Sequence, residues 1–403
     1  MLKTYRYKLL PSRLQMSRLN TTLKLCAELY NVCLYQRKIG YRDWSRSVSV
    51  FDQMKQLPGL KSEFPEYKTV HSQVLQNVVH RCDKSFQSFF RRVETGEKPG
   101  FPRYKKPDWF ATITYPQSGW KIEGNHVILS KIGTVKMKYH RKIPVNGAVK
   151  TVSITKDRCG DWFVCFSVDL PDPAPRKLDR SKSVGIDVGL EKFAVMSDGT
   201  YIKNPRHIRA AEDKLKRLHK LVSRKQHGSR NRKKAIEKLN RGYRKLIRRR
   251  IDYLHKHASK IVTKYDVIAF EKLNIKNLVR SNWLSKSIHD GSWNTFTSIV
   301  SYKAREAGKK IVFVDPKYTS QICSRCGTVT KHSLSERRFI CKNSDSNCNF
   351  SIDRDLNAAV NIRNRAFADL GWGTPEVTLV ETEPLRLVNL DASLVHEARS
   401  PCL

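Results

Sequence analysis

The chain has 403 residues, with 77 Lys and Arg against 37 Asp and Glu, a formal net charge of +40 and a pI near 10.0. Only 39% of it is hydrophobic, no run approaches the ~18–20 apolar residues that a membrane-spanning helix needs, and the recurring apolar segments exclude plain disorder. A folded body of this charge repels itself unless a polyanion neutralises it; nucleic acid is favoured over an anionic membrane, because no basic amphipathic helix with a Trp/Phe face stands out.

In chain order, residues 2–10 (LKTYRYKLL) alternate as a strand that Pro11 and Ser12 end, and no secretory leader is expected at this N-terminus. Leu19, Leu23, Cys26, Tyr30 and Cys33 fall on one face of a helix over 14–38, and residues 66–93 repeat the pattern with Val70, Val74, Asn77, Cys82, Phe86 and Phe90. The Pro/Gly-punctuated, basic segment 96–107 reads as an ordered linker. From 109 to 170 short strands succeed one another, with Gly124-Asn125 as a hairpin turn; with the first strand they suggest a small barrel carrying 14–95 as a helical insertion. Residues 171–183 form a linker. VGIDVGLEKFAVMSDGTYI then reads as a strand, a turn and a second strand, 206–262 as helical, 266–273 as a buried strand, 296–308 as a helix, 310–316 as a strand and 355–369 as a helix. The tail 371–403, with five acids and two arginines, reads as poorly ordered.

Four of the ten cysteines lie within 323–348: Cys323-x-x-Cys326, then Cys341 and Cys348. Paired thiolates on a short hairpin suit a closed, tetrahedral, structural Zn²⁺ site, and the scattered remainder suits a reducing cytoplasm rather than a disulfide scaffold. Three acids close apolar runs or open a helix: Asp187 in VGIDVGL, Glu271 in DVIAFE and Asp355 in SIDRDLNAAVNI. A charge there is costly unless a cation or partner holds it; together the three suit a pair of Mg²⁺ ions acting on a phosphodiester, though singly each suits a salt-bridged core residue or a helix cap. GIDVG also opens sugar kinases and actin-like ATPases, but 188–403 lacks their later Gly-rich phosphate and adenosine loops. Between 201 and 250 there are 20 Lys/Arg and three acids, too unbalanced for self-pairing along a helix and suited to phosphates, with Lys233, Lys234, Arg248 and Arg249 as candidate contacts. Phe101, Tyr104, Phe110 and Trp120 stand among lysines, as stacking groups for bases or as barrel core.

GIDVGLEKFAVMSDG, FEKLNIKNL, DPKYTSQICSRCG and DRDLNAAVNI, in this order, resemble the transposon-encoded TnpB family of RNA-guided nucleases, to which the type V CRISPR effectors are similar. The N-terminal YRYKLLPS and GEKPGFPRYKK match that family's opening, so the resemblance spans about residues 1–368. It implies an oligonucleotide-binding-type wedge β-barrel (1–12 and 96–180), a helical recognition domain (13–95), and an RNase H-like RuvC nuclease domain (181–317 and 350–370) with an inserted zinc ribbon (318–349). It implies Asp187, Glu271 and Asp355 as the acids holding two Mg²⁺, with Asp353 in support, and Cys323, Cys326, Cys341 and Cys348 as ligands of one Zn²⁺; the six residues between the last two cysteines depart from the family's usual Cys-x-x-Cys. It also implies a structured guide RNA, double-stranded DNA as target, and Gln76 near a target-adjacent motif; a monomer with one RNA is the expectation for the assembly, which the sequence leaves open. The alternatives are a small type V CRISPR effector, a nuclease-dead RNA-guided repressor (which would need a lost acid), and an RNA-independent transposase or zinc-ribbon DNA-binding regulator.

Overall fold

In the computed structural model, which describes residues 1–174, 176–273, 292–333, 336–343, 348–373 and 386–387, the alternation of the first strand has a clear purpose. Strand β1 (Leu2–Leu10) buries Tyr5, Tyr7 and Leu9 and turns its other residues outward. It lies between two antiparallel partners, β7 (Trp162–Asp169) and β5 (Gly133–Met137). With β2 (Thr112–Tyr115), β3 (Trp120–Glu123), β4 (His126–Leu129) and β6 (Ala148–Lys156) these make a nearly closed antiparallel sheet of seven strands, in the order β2-β6-β7-β1-β5-β4-β3. The hairpin at Gly124-Asn125 joins β3 to β4, with Glu123 opposite His126.

Ser12 ends β1 and starts the next element with a capping box: its hydroxyl accepts from Gln15 N, and the Gln15 side chain accepts from Ser12 N. Helix α1 (Arg13–Trp44) runs further than the pattern predicts, to Trp44 rather than 38. Two short helices unforeseen in the sequence come next, α2 (Val50–Lys55) and α3 (Leu57–Glu63). Helix α4 (Ser72–Glu94) starts six residues later than predicted, because Pro65–Thr69 form a 3-10 turn and Val70 is extended. The expected apolar faces of α1 and α4 join the inner sheet residues in one core, except that Phe90 is exposed and Asn77 only partly buried.

These elements form one compact unit, Met1–Pro171, and the second begins at Asp172. Residues 184–203 carry three strands rather than two: β8 (Ser183–Val188), β9 (Lys192–Met196) and β10 (Thr200–Lys203). Helices α5 (His207–Ser223) and α6 (Arg230–Lys264) come after them, then β11 (Val267–Glu271), α7 (Trp293–Glu306), β12 (Lys310–Val314), the hairpin strands β13 (Arg338–Ile340) and β14 (Ser351–Asp353), and α8 (Arg354–Asp369). Of the tail, Arg386–Leu387 form β15, parallel to β10; its other residues from 374 on lie outside the described ones.

The second sheet has the order β12-β11-β8-β9-β10-β15. Strands β8 to β10 are antiparallel, while β11 and β12 run parallel to β8. Central strands covered on both faces read as continuous apolar runs, as in VGI and VIAF. Leu254, Ala258 and Ile261 of α6 and Phe296 and Val300 of α7 cover one face, and Ile362 and Ala366 of α8 meet Ala269 and Val314 on the other. A buried ion pair fixes one end: Lys309 lies 3.2 Å from the Asp266 carboxylate and donates to the carbonyls of Val262, Thr263 and Tyr265, which α6 leaves unsatisfied. Among the described residues no helix is long and apolar enough to cross a membrane.

Candidate active site and metal centre

Asp187 is the penultimate residue of β8 and Glu271 the last of β11. The strands are parallel and Ile186 pairs with Phe270, so the next register step sets Asp187 beside Glu271. Asp355 arrives on a helix. A Cβ at Gly185 would stand 2.1 Å from the Ala359 carbonyl oxygen and 2.5 Å from Arg363 N, so α8 lies on bare β8 backbone at that point. Two strand residues advance about 6.6 Å from Gly185 to Asp187, and four helical residues about 6 Å from Ala359 back to Asp355. The matched steps bring the first turn of α8 to the end of β8.

The three carboxylates share one field. Burial, then the charges of Glu271 and Asp355, hold the Asp187 carboxyl well above the usual range, against the Val188 amide and Arg354. Burial raises Glu271, moderated by the Thr319 hydroxyl and the Arg365 charge. Burial and Asp353 raise Asp355, with Lys192 and Arg337 opposing. Asp353 engages both oxygens elsewhere: one accepts from Asp355 N and Leu356 N at 3.0 and 3.2 Å as the α8 cap, and the other takes Lys192 Nζ at 2.8 Å. An oxygen-only donor set is what hard divalent cations take, and the repulsion raising Asp187 is of the kind a cation relieves. The residues therefore fit such an ion, although among the described residues only the cysteines gather three or more ligand atoms within 4.8 Å of one another.

That quartet is Cys323, Cys326, Cys341 and Cys348. Sγ of Cys323 is 3.9 Å from that of Cys348, and Sγ of Cys326 is 3.5 Å from that of Cys341. A tetrahedron with ~2.3 Å metal–sulfur bonds has edges of about 3.8 Å, so the quartet fits a zinc ion. Gly327, at φ +78°, closes the first knuckle, with its N–H on the Cys323 carbonyl. The second knuckle is tied in by the Cys341 amide on Phe350 O; residues 344–347 between its cysteines lie outside the described ones. Strand β14 runs without a linker into α8, since its last residue, Asp353, is the helix cap.

Lys233, Lys234, Arg248 and Arg249 are all exposed on α6, and Gln76 is exposed on α4. Of the aromatics, Phe110 is core and Trp120 packs partly buried against it, whereas Phe101 and Tyr104 are exposed, with the Lys38 ammonium 5.9 and 5.2 Å from their rings.

The sequence reasoning missed four residues beside the acids: Thr319, Asn357, Asn361 and Arg365. The last three recur every fourth position along α8, and all bond the backbone of 315–324. Their signal was a polar stripe on a helix otherwise apolar over Leu356–Ile362.

Two family models match this unit and its border: OrfB_IS605, described as "Probable transposase", over residues 164–282, and "Cas12f1-like, TNB domain" over 293–362. A Streptomyces pristinaespiralis protein named "Putative RNA-guided DNA endonuclease" is 30% identical over 367 residues, covering 89% of this chain and 88% of its own. The similarly named InsQ of Escherichia coli is 28% identical, over 92% of this chain and 94% of its own. The CRISPR-associated endodeoxyribonuclease Cas12f1 of Sulfoacidibacillus thermotolerans is 27% identical, over 71% and 72%. The structure of a Cas12f1–sgRNA–target DNA complex aligns with a TM-score of 0.55 at 16% identity, over 86% of this chain and 82% of that one, which shows a shared fold. The 30% identity to the first relative, extending over nearly nine-tenths of both chains, makes this chain a member of the TnpB/Cas12f-type family of RNA-guided DNA endonucleases.

Proposed function

We propose that the chain is a transposon-associated, RNA-guided DNA endonuclease that binds a structured guide RNA, recognises a short motif beside its target and cleaves both DNA strands at Asp187, Glu271 and Asp355. The observation that carries this is that Asp187, near the end of β8, feels the charges of Glu271 at the end of β11 and Asp355 at the start of α8. Two Mg²⁺ held there would generate the attacking hydroxide and neutralise charge developing on the phosphate. The chain's own part is to hold three partly buried carboxylates whose repulsion a cation would relieve, with Lys192 and Arg354 opposing that repulsion.

The order β10-β9-β8-β11-β12, antiparallel and then parallel, supports an RNase H-like RuvC domain over 181–317 and 350–370. The cysteine hairpin supports a structural zinc ribbon at 318–349. The nearly closed sheet supports a wedge barrel over 1–12 and 96–180, with 13–95 as the recognition helices and Gln76 facing the target-adjacent motif. The net charge of +40 suits a protein that grips an RNA–DNA duplex by its backbone while base pairing reads the sequence; Lys233, Lys234, Arg248 and Arg249 serve that grip. We place the protein in the cytoplasm, as a monomer with one RNA.

The test is to express the chain with its native flanking DNA, sequence the RNA retained through high salt, and assay cleavage of matched duplex. One discrete RNA with a variable end, Mg²⁺-dependent cutting, and loss of cutting but not of RNA in Asp187→Ala are expected. Cutting retained in that variant would remove the acids from the mechanism; a smear of RNA would favour an RNA-independent transposase.

A further inference from the structure

Between β12 and the first cysteine knuckle the chain joins no strand of either sheet; it turns at Tyr318 and makes a single isolated bridge, Ile322 to Val329. Its backbone is instead strapped to α8 by side chains at four-residue spacing, which share one helix face. Asn357 Oδ1 accepts from Ser324 N at 3.0 Å, and its Nδ2 donates to Ile322 O at 2.8 Å. Asn361 Nδ2 donates to Ile322 O and Thr319 O at 2.7 and 2.8 Å. Arg365 donates to Asp315 O and Lys317 O at 2.5 and 2.6 Å. Asn357 and Asn361 are buried, at 0% and 5% exposure, so these bonds form away from competing water. They hold a strained turn: Tyr318 sits at φ +62°, a left-handed conformation costing a non-glycine residue roughly 1–2 kcal/mol.

The strained turn presents one group inward. Thr319 is 4% exposed, and its hydroxyl donates to Glu271 Oε1, with Pro316 O as a 3.2 Å alternative. A continuous path therefore runs from the knuckle residues Ile322 and Ser324, through Asn357 and Asn361, to Thr319 and the Glu271 carboxylate. Carboxylates that repel one another turn apart unless each is held.

We propose that Thr319, clamped by Asn361, is a positioning residue for Glu271, and that it makes the placement of this carboxylate depend on the cysteine knuckle beside it. The inference rests on the acids being the cleavage site, and it goes further in assigning the cysteine-bearing hairpin a role in aligning that site. Thr319→Val keeps the shape and removes the hydroxyl; Thr319→Ser keeps the hydroxyl.

The experiment uses the full chain without RNA and follows Mn²⁺ binding by calorimetry, with Asp187→Ala defining the background. In parallel, the RNA-loaded chain is assayed for cleavage across a Mg²⁺ titration. A hydrogen bond to a charged group is worth on the order of tenfold. Thr319→Val is expected to raise the half-saturating metal concentration by about that factor, while target binding stays unchanged. Thr319→Ser should restore it. Asn361→Leu should shift it in the same direction, and the double variant by less than the product of the two single shifts, since both act through one bond. An unchanged metal dependence in Thr319→Val, failure of Ser to restore it, or multiplicative effects in the double variant would overturn the proposal. If the wild-type chain binds Mn²⁺ through Asp187 but cuts nothing with its RNA, the nuclease reading fails, while the calorimetry still decides the role of Thr319.

Discussion

Gly185→Ala changes one hydrogen into a methyl group and should disable the site from beneath. The added Cβ meets backbone, the Ala359 carbonyl oxygen at 2.1 Å and Arg363 N at 2.5 Å, so no side-chain rotation relieves the clash. Ordinary contact begins near 3.4 Å, so β8 and α8 must part by about 1.3 Å. Overpacking of this kind costs about 1–3 kcal/mol, and a rigid helix backbone puts this site at the upper end. The lower entropy of an unfolded alanine offsets only ~0.4–1 kcal/mol of that. The displacement also loosens Ile362 and Ala366 against Ala269 and Val314 and carries Asp355 away from Asp187. Misplacement of reacting groups by ~1 Å can reduce a rate on the order of 100-fold. The assays are urea unfolding and single-turnover cleavage by the RNA-loaded chain. Gly59→Ala is the control, because nothing lies within 4 Å of the Cβ it would gain; it should be neutral or stabilising by up to ~1 kcal/mol. A Gly185→Ala protein as stable as wild type and cutting within twofold of it would refute the placement of α8 on β8.

Lys309→Met leaves Asp266 buried without its cation and three carbonyls without their donor, so a loss of about 3–5 kcal/mol is expected in urea unfolding; a loss below 1 kcal/mol would show the pair to be dispensable. His255 and His257 are each 3% exposed, and burial pushes both down to about 4. The unfolded chain, with histidines near 6.5, then binds more protons between those values, so stability is full above pH ~6.5 and falls as pH drops towards 4, by on the order of 2–3 kcal/mol per residue. The His257 ring lies 4.4 Å from that of Tyr253, tilted by 58°, and its buried Nδ1 has no hydrogen-bond partner among the described residues, so His257→Phe should flatten about half of that slope; an unaltered slope would place the acid sensitivity elsewhere. Elemental analysis should find about one zinc per chain, and Cys341→Ser should lower it, whereas an unchanged zinc content would move the metal off the quartet.

Burial decides which features the sequence made legible. An acid that ends an apolar run is out of place unless something needs it, so Asp187 and Glu271 stand out before any fold is known. Thiols at two-residue spacing show themselves in the same way. The short, half-polar β10 does not, because four residues such as TYIK leave too little periodicity to separate a strand from a turn. Helices α2 and α3 are hidden for the same reason, at six and seven residues. The polar stripe of α8 was in plain view, yet Asn and Arg on a helix usually face solvent. Only the path of 315–324, a segment outside both sheets with a single bridge at Ile322, shows why amide side chains are buried there.

The seamless passage from β14 into α8 sets a limit on how such a protein can change its length. A residue inserted at a flexible joint shifts the downstream chain by a few ångströms and is absorbed. Here the last hairpin residue is already the helix cap, and one insertion after Asp353 would turn every later side chain of α8 by about 100° about the helix axis. Asn357, Asn361 and Arg365 would then miss the strap, and Asp355 would leave the acids. The joint works as a keyed coupling: hairpin and helix can be exchanged only as a single part, and a graft that swaps the cysteine hairpin alone must keep the angular phase of the helix it feeds.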